Sequence, residues 1–324
     1  MKIRIQTVVK IVVSLAAIGI VIIVLRGVDL GRALGIILGA NLAILALVLL
    51  VQAASIFLRL VRWKYQLLPA QDVPLSVLIS PLLVSFAVGN VTVTGVGVVP
   101  RSYLLARRTG IDGAFAAGTW FQEYVLDATA VVIWAVVVPF VVTLPPAFRQ
   151  VQIVLLPLLA ILFLVCLAFW RCSSILVELL KRLDVWERIL SLLPDWVARR
   201  RDAFSQGLCA AFAYPGARVV VPLATMIIWA IEALIFWLLL LSLGIPFDYL
   251  EASAIMAFTH VVIGVPSVPG FIGTLEVATV GMVLALGGDQ AGALAYVVLL
   301  RLFFTGPSTL LGVFFAWREG WRIA

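Results

Sequence analysis

Histidine, cysteine and charge are all scarce in this chain. Its 324 residues hold one histidine, three cysteines and only 12% Asp, Glu, Lys and Arg. Each shortage excludes something. His260 alone cannot build a metal site, and no two of Cys166, Cys172 and Cys209 stand at metal-ligand spacing. The odd count argues against a disulfide scaffold, so the three are expected as thiols in membrane helices or on the cytoplasmic side. A soluble globule carries about a quarter charged residues, so this chain cannot cover its surface with polar groups in water. Enzyme signatures are missing as well. There is no P-loop, no G-x-S-x-G, no H-E-x-x-H and no aspartate-rich sugar-nucleotide motif. No catalytic activity, cofactor or metal is expected.

Apolar side chain is what the chain has in abundance, at 64%. That points to an all-α polytopic membrane protein, a single integral membrane domain over residues 1–324. The net charge of +7 sits at the membrane edge. It therefore speaks for orientation and anionic lipid rather than nucleic acid.

Basic residues Lys2, Arg4 and Lys10 precede an apolar run from Ile11 to Leu25. No small-residue cleavage site follows, so this is expected as a retained first span rather than a signal peptide. Further runs cover Ala40–Leu58, closed by Arg59, Arg62 and Lys64, then Ala114–Val142, Val151–Trp170, Val219–Leu243 and Ala291–Trp317. Each meets the roughly 20 residues needed to cross the hydrocarbon layer. Two apolar stretches differ. Residues 73–100 pass from helix-like sequence into Asn90-Val-Thr-Val-Thr-Gly-Val-Gly-Val-Val-Pro100, and residues 251–286 are broken by Pro266-Ser-Val-Pro-Gly-Phe-Ile-Gly273. Proline removes an amide donor and glycine loosens the chain. Irregular backbone at membrane depth is tolerated only inside protein or beside a watery cavity.

Loop charge decides how these two stretches run. With the N-terminus inside, treating residues 73–100 as a hairpin that dips in and returns keeps Arg101, Arg107 and Arg108 inside. A full crossing would strand them outside. The segment Arg171–Arg218, with eight basic residues, then falls inside, and Gly244–Leu250, with none, falls outside. A second hairpin over residues 251–286 returns to the outside at Gly287–Gln290, and the last span leaves Arg318 and Arg322 inside. The expectation is about six transmembrane helices plus two oppositely oriented re-entrant hairpins, with both termini cytoplasmic. Opposed broken helices are a known way to build a central transport site. Within residues 171–218, apolar residues from Ile175 to Leu193 recur at helical spacing with Lys181, Arg182 and Arg188 between them. That predicts an amphipathic connector on the cytoplasmic surface.

Ionisable side chains near the bilayer centre cost at least about 2.5–3.5 kcal/mol each, so their default reading is functional. Glu123, Asp127, Glu232, Glu276 and Arg301 lie inside apolar runs, and Arg101 closes the first hairpin. Asp127 follows Glu123 by four residues and shares its helix face. Pairing, for instance of Arg301 with Glu276, would make them structural. Four acids against one or two basic groups would instead leave a negative surplus that calls for a proton, a cation or a cationic ligand group. The two arginines suit a phosphate.

Arg62-Trp63, Glu123-x-x-x-Asp127, Pro266-Ser-Val-Pro-Gly-Phe-Ile-Gly-Thr-Leu-Glu276 and Arg301 within Leu-Leu-Arg-Leu together resemble the lysylphosphatidylglycerol synthase transmembrane-region, or flippase-like, family. The third segment is the specific one and is similar to the family's P-x-S-P-G-G-x-G-x-x-E. The resemblance implies backbone roles for Pro266, Ser267, Pro269, Gly270 and Gly273, and for Gly97 in the first hairpin. It covers nearly the whole chain and looks like the membrane half of the synthases without their soluble aminoacyltransferase domain. One stretch departs. Where the family has proline-glycine-arginine-x-glycine-glutamate, this chain reads Val93-Thr-Gly-Val-Gly-Val98, keeping Gly97 and Arg101.

The function these features imply is translocation of an amphipathic phospholipid or an isoprenoid- or hopanoid-type lipid across a bacterial inner membrane. Arg101, Glu123, Asp127, Glu232, Glu276 and Arg301 would line the path. The alternative is a non-transporting scaffold that binds lipid or a partner lipid-modifying synthase. The expected partners are the membrane lipid and the bilayer, and beyond these a second copy of the chain or a partner synthase.

Overall fold

The computed structural model describes residues 29–92, 95–144, 150, 153–162, 164, 200–264 and 269–320, and no strand occurs among them. The helices are α1 (Leu30–Leu38), α2 (Leu42–Leu67), α3 (Leu75–Val91), α4 (Val98–Thr109), α5 (Gly113–Val137), α6 (Ile153–Leu162), α7 (Arg201–Leu208), α8 (Ala210–Ala213), α9 (Pro215–Ser242), α10 (Tyr249–Ile263), α11 (Thr274–Ala285), α12 (Gln290–Leu300) and α13 (Gly306–Arg318). Among the described residues, four helical stretches are long and apolar enough to cross a membrane: Leu42–Leu67, Gly113–Phe140, Pro215–Ser242 and Gln290–Arg318. The protein is thus an all-helical, multi-pass membrane protein. The expected first span at residues 11–25, most of the run at 151–170 and the connector up to residue 199 lie outside the described residues.

Local chemistry sets where the helices start. Asn41 accepts from the amides of Ala43 and Ile44, Asp112 from Ala114, and Asp289 from Gly292. Asp248 and Glu251 form a reciprocal capping box at the head of α10. These side chains satisfy amide donors that have no partner within the helix.

Cross-helix contacts give the topology. The Asn41 amide donates to the Ser242 carbonyl at 2.8 Å, so α2 begins where α9 ends. Arg32 reaches Asp289 at this same end. At the other end Arg200 pairs with Asp112, while the Trp63 indole donates to Thr119, so α5 runs antiparallel to α2.

α3 and α4 form a helical hairpin based at the Asp112 end. Arg108 donates to the Val77 carbonyl, and both Arg108 and Ser80 bond Glu319 after α13. α10 and α11 form a second hairpin, joined by the buried Thr259 and Thr279 hydroxyls at 3.2 Å. Its base lies at the Asn41 end, where Phe247 packs at Gly288. The two tips touch, the Gly270 amide donating to the Thr92 carbonyl at 3.3 Å.

The first hairpin does not close at Pro100. Its return arm starts at Val98 and runs to Thr109, ended by Gly110 in the left-handed region at φ 77°. Pro100 stands in the first turn of α4, where its missing amide has no helical partner to lose, so it starts a helix rather than stopping one. A second boundary also moves. Within the expected surface connector, Phe204, Leu208, Ala210 and Ala211 are buried, and Arg218 belongs to α9. α7 packs into the bundle because Gly118 faces the Phe204 carbonyl and Gly207 faces the Phe115 carbonyl, approaches that a Cβ would block.

Candidate functional site: a charge ladder, a hairpin clasp and an apolar cavity

Three helices each turn a polar stripe inward. On α2 it is Gln52, Ser55, Arg59, Arg62 and Gln66, spaced three and four residues apart. On α5 it is Thr119, Gln122, Glu123 and Asp127, and on α9 it is Thr225, Trp229 and Glu232. Side chains three and four apart share one helix face, so each stripe meets the others in the bundle interior.

The stripes join in a ladder of alternating charge. Arg101, brought in by the second turn of α4, holds Glu123 through two bonds of 2.8 and 2.7 Å. Glu123 lies 3.5 Å from Arg62, which grips Asp127 at 2.6 and 3.1 Å. Asp127 lies 4.0 Å from Arg59, and Arg59 bonds Glu232 at 2.7 Å. Neutral groups complete it. Thr225 accepts from Arg62, Trp229 donates to Asp127 and Ser55 donates to Glu232. The Arg101 guanidinium sits 3.8 Å over the Trp63 ring, a cation–π contact. Paired, hydrogen-bonded charges of this kind are how a low-dielectric interior holds ions at all.

The second polar centre is a clasp at the tip of the second hairpin. Gly270 and Phe271 have φ of 70° and 54°, and Gly273 has 86°. Glycine adopts these values freely, whereas phenylalanine does so under strain. Arg301 binds the resulting turn. Nη1 donates to the Gly270 carbonyl at 2.7 Å, Nη2 to the Phe271 carbonyl at 3.0 Å, and Nε to Glu276 at 2.9 Å. Glu276 in turn accepts from the Gly273 amide at 2.7 Å. Residues Arg301–Thr305 form a π-helical turn between α12 and α13, a distortion frequent at functional sites.

Beside both centres lies a cavity of about 390 Å³ between α5, α6, α9 and α10. Its walls include Tyr124, Val131, Leu158, Trp229, His260 and Phe271, with Asp127 the charged ladder residue among them. His260 is committed to packing. Its Nδ1 meets the Met256 carbonyl at 2.8 Å, and the rings of Trp229, Phe236 and Phe304 surround it.

The six charged residues singled out from the sequence fall into two groups. Arg101, Glu123, Asp127 and Glu232 belong to the ladder, while Glu276 and Arg301 form the clasp. Gly97 lies in the first hairpin's turn, where a Cβ would come 2.5 Å from the Ser85 carbonyl. Pro269, Gly270 and Gly273 lie in the clasp turn, and Pro266 and Ser267 lie outside the described residues.

One expectation fails. Four buried acids do not leave a negative surplus, because Arg59 and Arg62 are not interfacial residues closing a span at Leu58. α2 continues to Leu67, and Arg62 is only 1% exposed. Among the described residues, four arginines therefore face four acids. The missed signal was the polar stripe on α2, whose spacing marks one inward face. Standing directly after the apolar run Ala40–Leu58, those arginines look like the basic edge of a span.

The chain belongs to the family described as the lysylphosphatidylglycerol synthase TM region, whose model matches residues 7–312. No curated protein matches it. Family and helices together make it a multi-pass membrane protein related to lipid handling.

Proposed function

We propose that the protein translocates an amphipathic lipid between the leaflets of a bacterial inner membrane, with both termini cytoplasmic and the two hairpins re-entrant from opposite faces. The observation that carries this reading is the meeting of the hairpin tips beside the apolar cavity, with the Arg301–Glu276 clasp at the junction. The head would pass the clasp while the tail stays in the cavity and the bilayer. A cavity of this size and lining suits a hydrocarbon chain. The role is binding and passage rather than bond chemistry, which accords with the packing role of His260. Without an ATP-binding motif, transport would be passive or driven by an ion gradient.

The test is exchange of acyl-chain-labelled lipid between leaflets of proteoliposomes, read by quenching of the outer leaflet. Acceleration over empty vesicles, reduced by Ala128→Trp in the cavity wall, is the expected result. No acceleration for any native membrane lipid would refute it. The closure of the ladder favours a second reading, a scaffold presenting lipid to a separate synthase. Stoichiometric co-purification of such a synthase, with exchange at the empty-vesicle rate, would establish that instead.

A further inference from the structure

The geometry points to a passenger lipid whose head carries no net charge, and specifically to a zwitterionic head with one anionic and one cationic group that replace each other's counterparts at the Arg301–Glu276 clasp. This inference rests on the translocation reading. It begins from charge balance. Among the described residues, each arginine and each acid of the bundle interior has an opposite partner: Arg101 and Arg62 on Glu123, Arg62 and Arg59 on Asp127, Arg59 on Glu232, and Arg301 on Glu276. A singly charged head entering this interior would capture one member of a pair and leave the other buried without a counter-ion, the most costly outcome for a desolvated charge. A zwitterion avoids this. Its phosphate takes the guanidinium, its ammonium takes the carboxylate, and one ion pair becomes two with no charge left over.

The clasp is the pair that can open. Arg301 and Glu276 keep 26% and 19% of their side chains exposed, whereas Arg101 and Glu123 keep 2% and 8%. Arg59 and Asp127 keep 17% and 20%, but each is tied more closely to a second charge of the ladder, Glu232 and Arg62. The clasp also adjoins the tail site. Arg301 holds the Phe271 carbonyl, and Phe271 and Gly264 at the second hairpin's tip line the apolar cavity. A head at the clasp thus leaves its chain beside a wall that accepts it. Guanidinium and phosphate match in bidentate geometry, so the arginine remains satisfied during the exchange.

The experiment compares three acyl-labelled lipids with identical chains in proteoliposomes of the full-length protein: zwitterionic phosphatidylcholine, anionic phosphatidylglycerol and cationic ethylphosphatidylcholine. The zwitterion should exchange roughly fivefold faster or more than either charged lipid, the ratio expected from stranding one partly exposed ion-pair partner. Glu276→Gln, which leaves an unpaired arginine, should shift preference towards the anionic lipid. Arg301→Gln should shift it towards the cationic one. A charged lipid moving as fast as the zwitterion, or variants that change rate without changing preference, overturns the inference while translocation stands. If no lipid moves, translocation falls. Head-group selectivity is then read from quenching of tryptophan fluorescence by the same three lipids with brominated chains. Zwitterion preference there sustains the charge-balance inference, and equal or charged-lipid preference overturns it.

Discussion

Arg62 is the hub of the ladder, and replacing it with methionine should be among the most damaging single changes in the bundle. The guanidinium is 1% exposed and contacts Asp127 twice, Glu123 once and Thr225 once. Methionine fills part of its volume but leaves Asp127 with only the Trp229 indole and Arg59 at 4.0 Å. Breaking a buried pair by removing one partner costs about 3–5 kcal/mol. At about 2–4 °C per kcal/mol for a large domain, the melting temperature in detergent should fall by about 6–20 °C. The double variant Arg62→Met with Asp127→Leu removes the stranded charge and should recover at least half of that loss, because apolar replacement of a whole buried pair is often neutral. Thermal unfolding of the parent, both single variants and the double variant closes the cycle. A double variant as unstable as the sum of the singles would refute the argument, as would an Arg62→Met protein melting within about 2 °C of the parent.

Trp63→Leu removes the ring beneath Arg101 and the bond to Thr119. It should cost about 2 kcal/mol or more, whereas Trp63→Phe should retain part of that, as thermal melts would record. Gly312→Val places a side chain against the Leu83 carbonyl and the Ala87 methyl. It should force α13 away from α3 at a cost of about 1–3 kcal/mol, while the same change at Gly281, which has open space around it, should cost less. In a background lacking the native cysteines, Asp112→Cys and Asp289→Cys should label from opposite sides of the membrane, cytoplasmic and external respectively. Labelling of both from one side would mean that the hairpin bases share a face. A short thiol cross-link between Thr92→Cys and Phe271→Cys should join the hairpin tips and stop lipid exchange. Undiminished exchange in fully cross-linked protein would show that the tips need not part.

Much of the architecture was legible in the chain. Long apolar runs predict spanning helices because the bilayer demands a fixed length of satisfied backbone. Gly95 and Gly97, and the prolines and glycines of residues 266–273, mark where helices must break, since those residues alter local backbone freedom. The inward charges at 101, 123, 127, 232, 276 and 301 stood out because each is costly in hydrocarbon. Partnership did not stand out. Arg59 and Arg62 follow an apolar run and look like the basic edge of a span until α2 is seen to continue to Leu67. The clasp was partly visible, since a family-like turn leads into Glu276. The use of the Gly270 and Phe271 carbonyls by an arginine thirty residues later was not.

The division between what was and was not legible has a physical basis. Hydropathy, helix caps and breaks are properties of neighbouring residues, so the sequence alone determines that this is a membrane-embedded helical bundle with two broken hairpins and charges within it. Whether those charges form a surplus or a balance depends on which helices face one another. Arg62 meets Asp127 across 65 positions and Arg59 meets Glu232 across 173, and only the tertiary packing of α2 between α5 and α9 brings them within Coulombic reach.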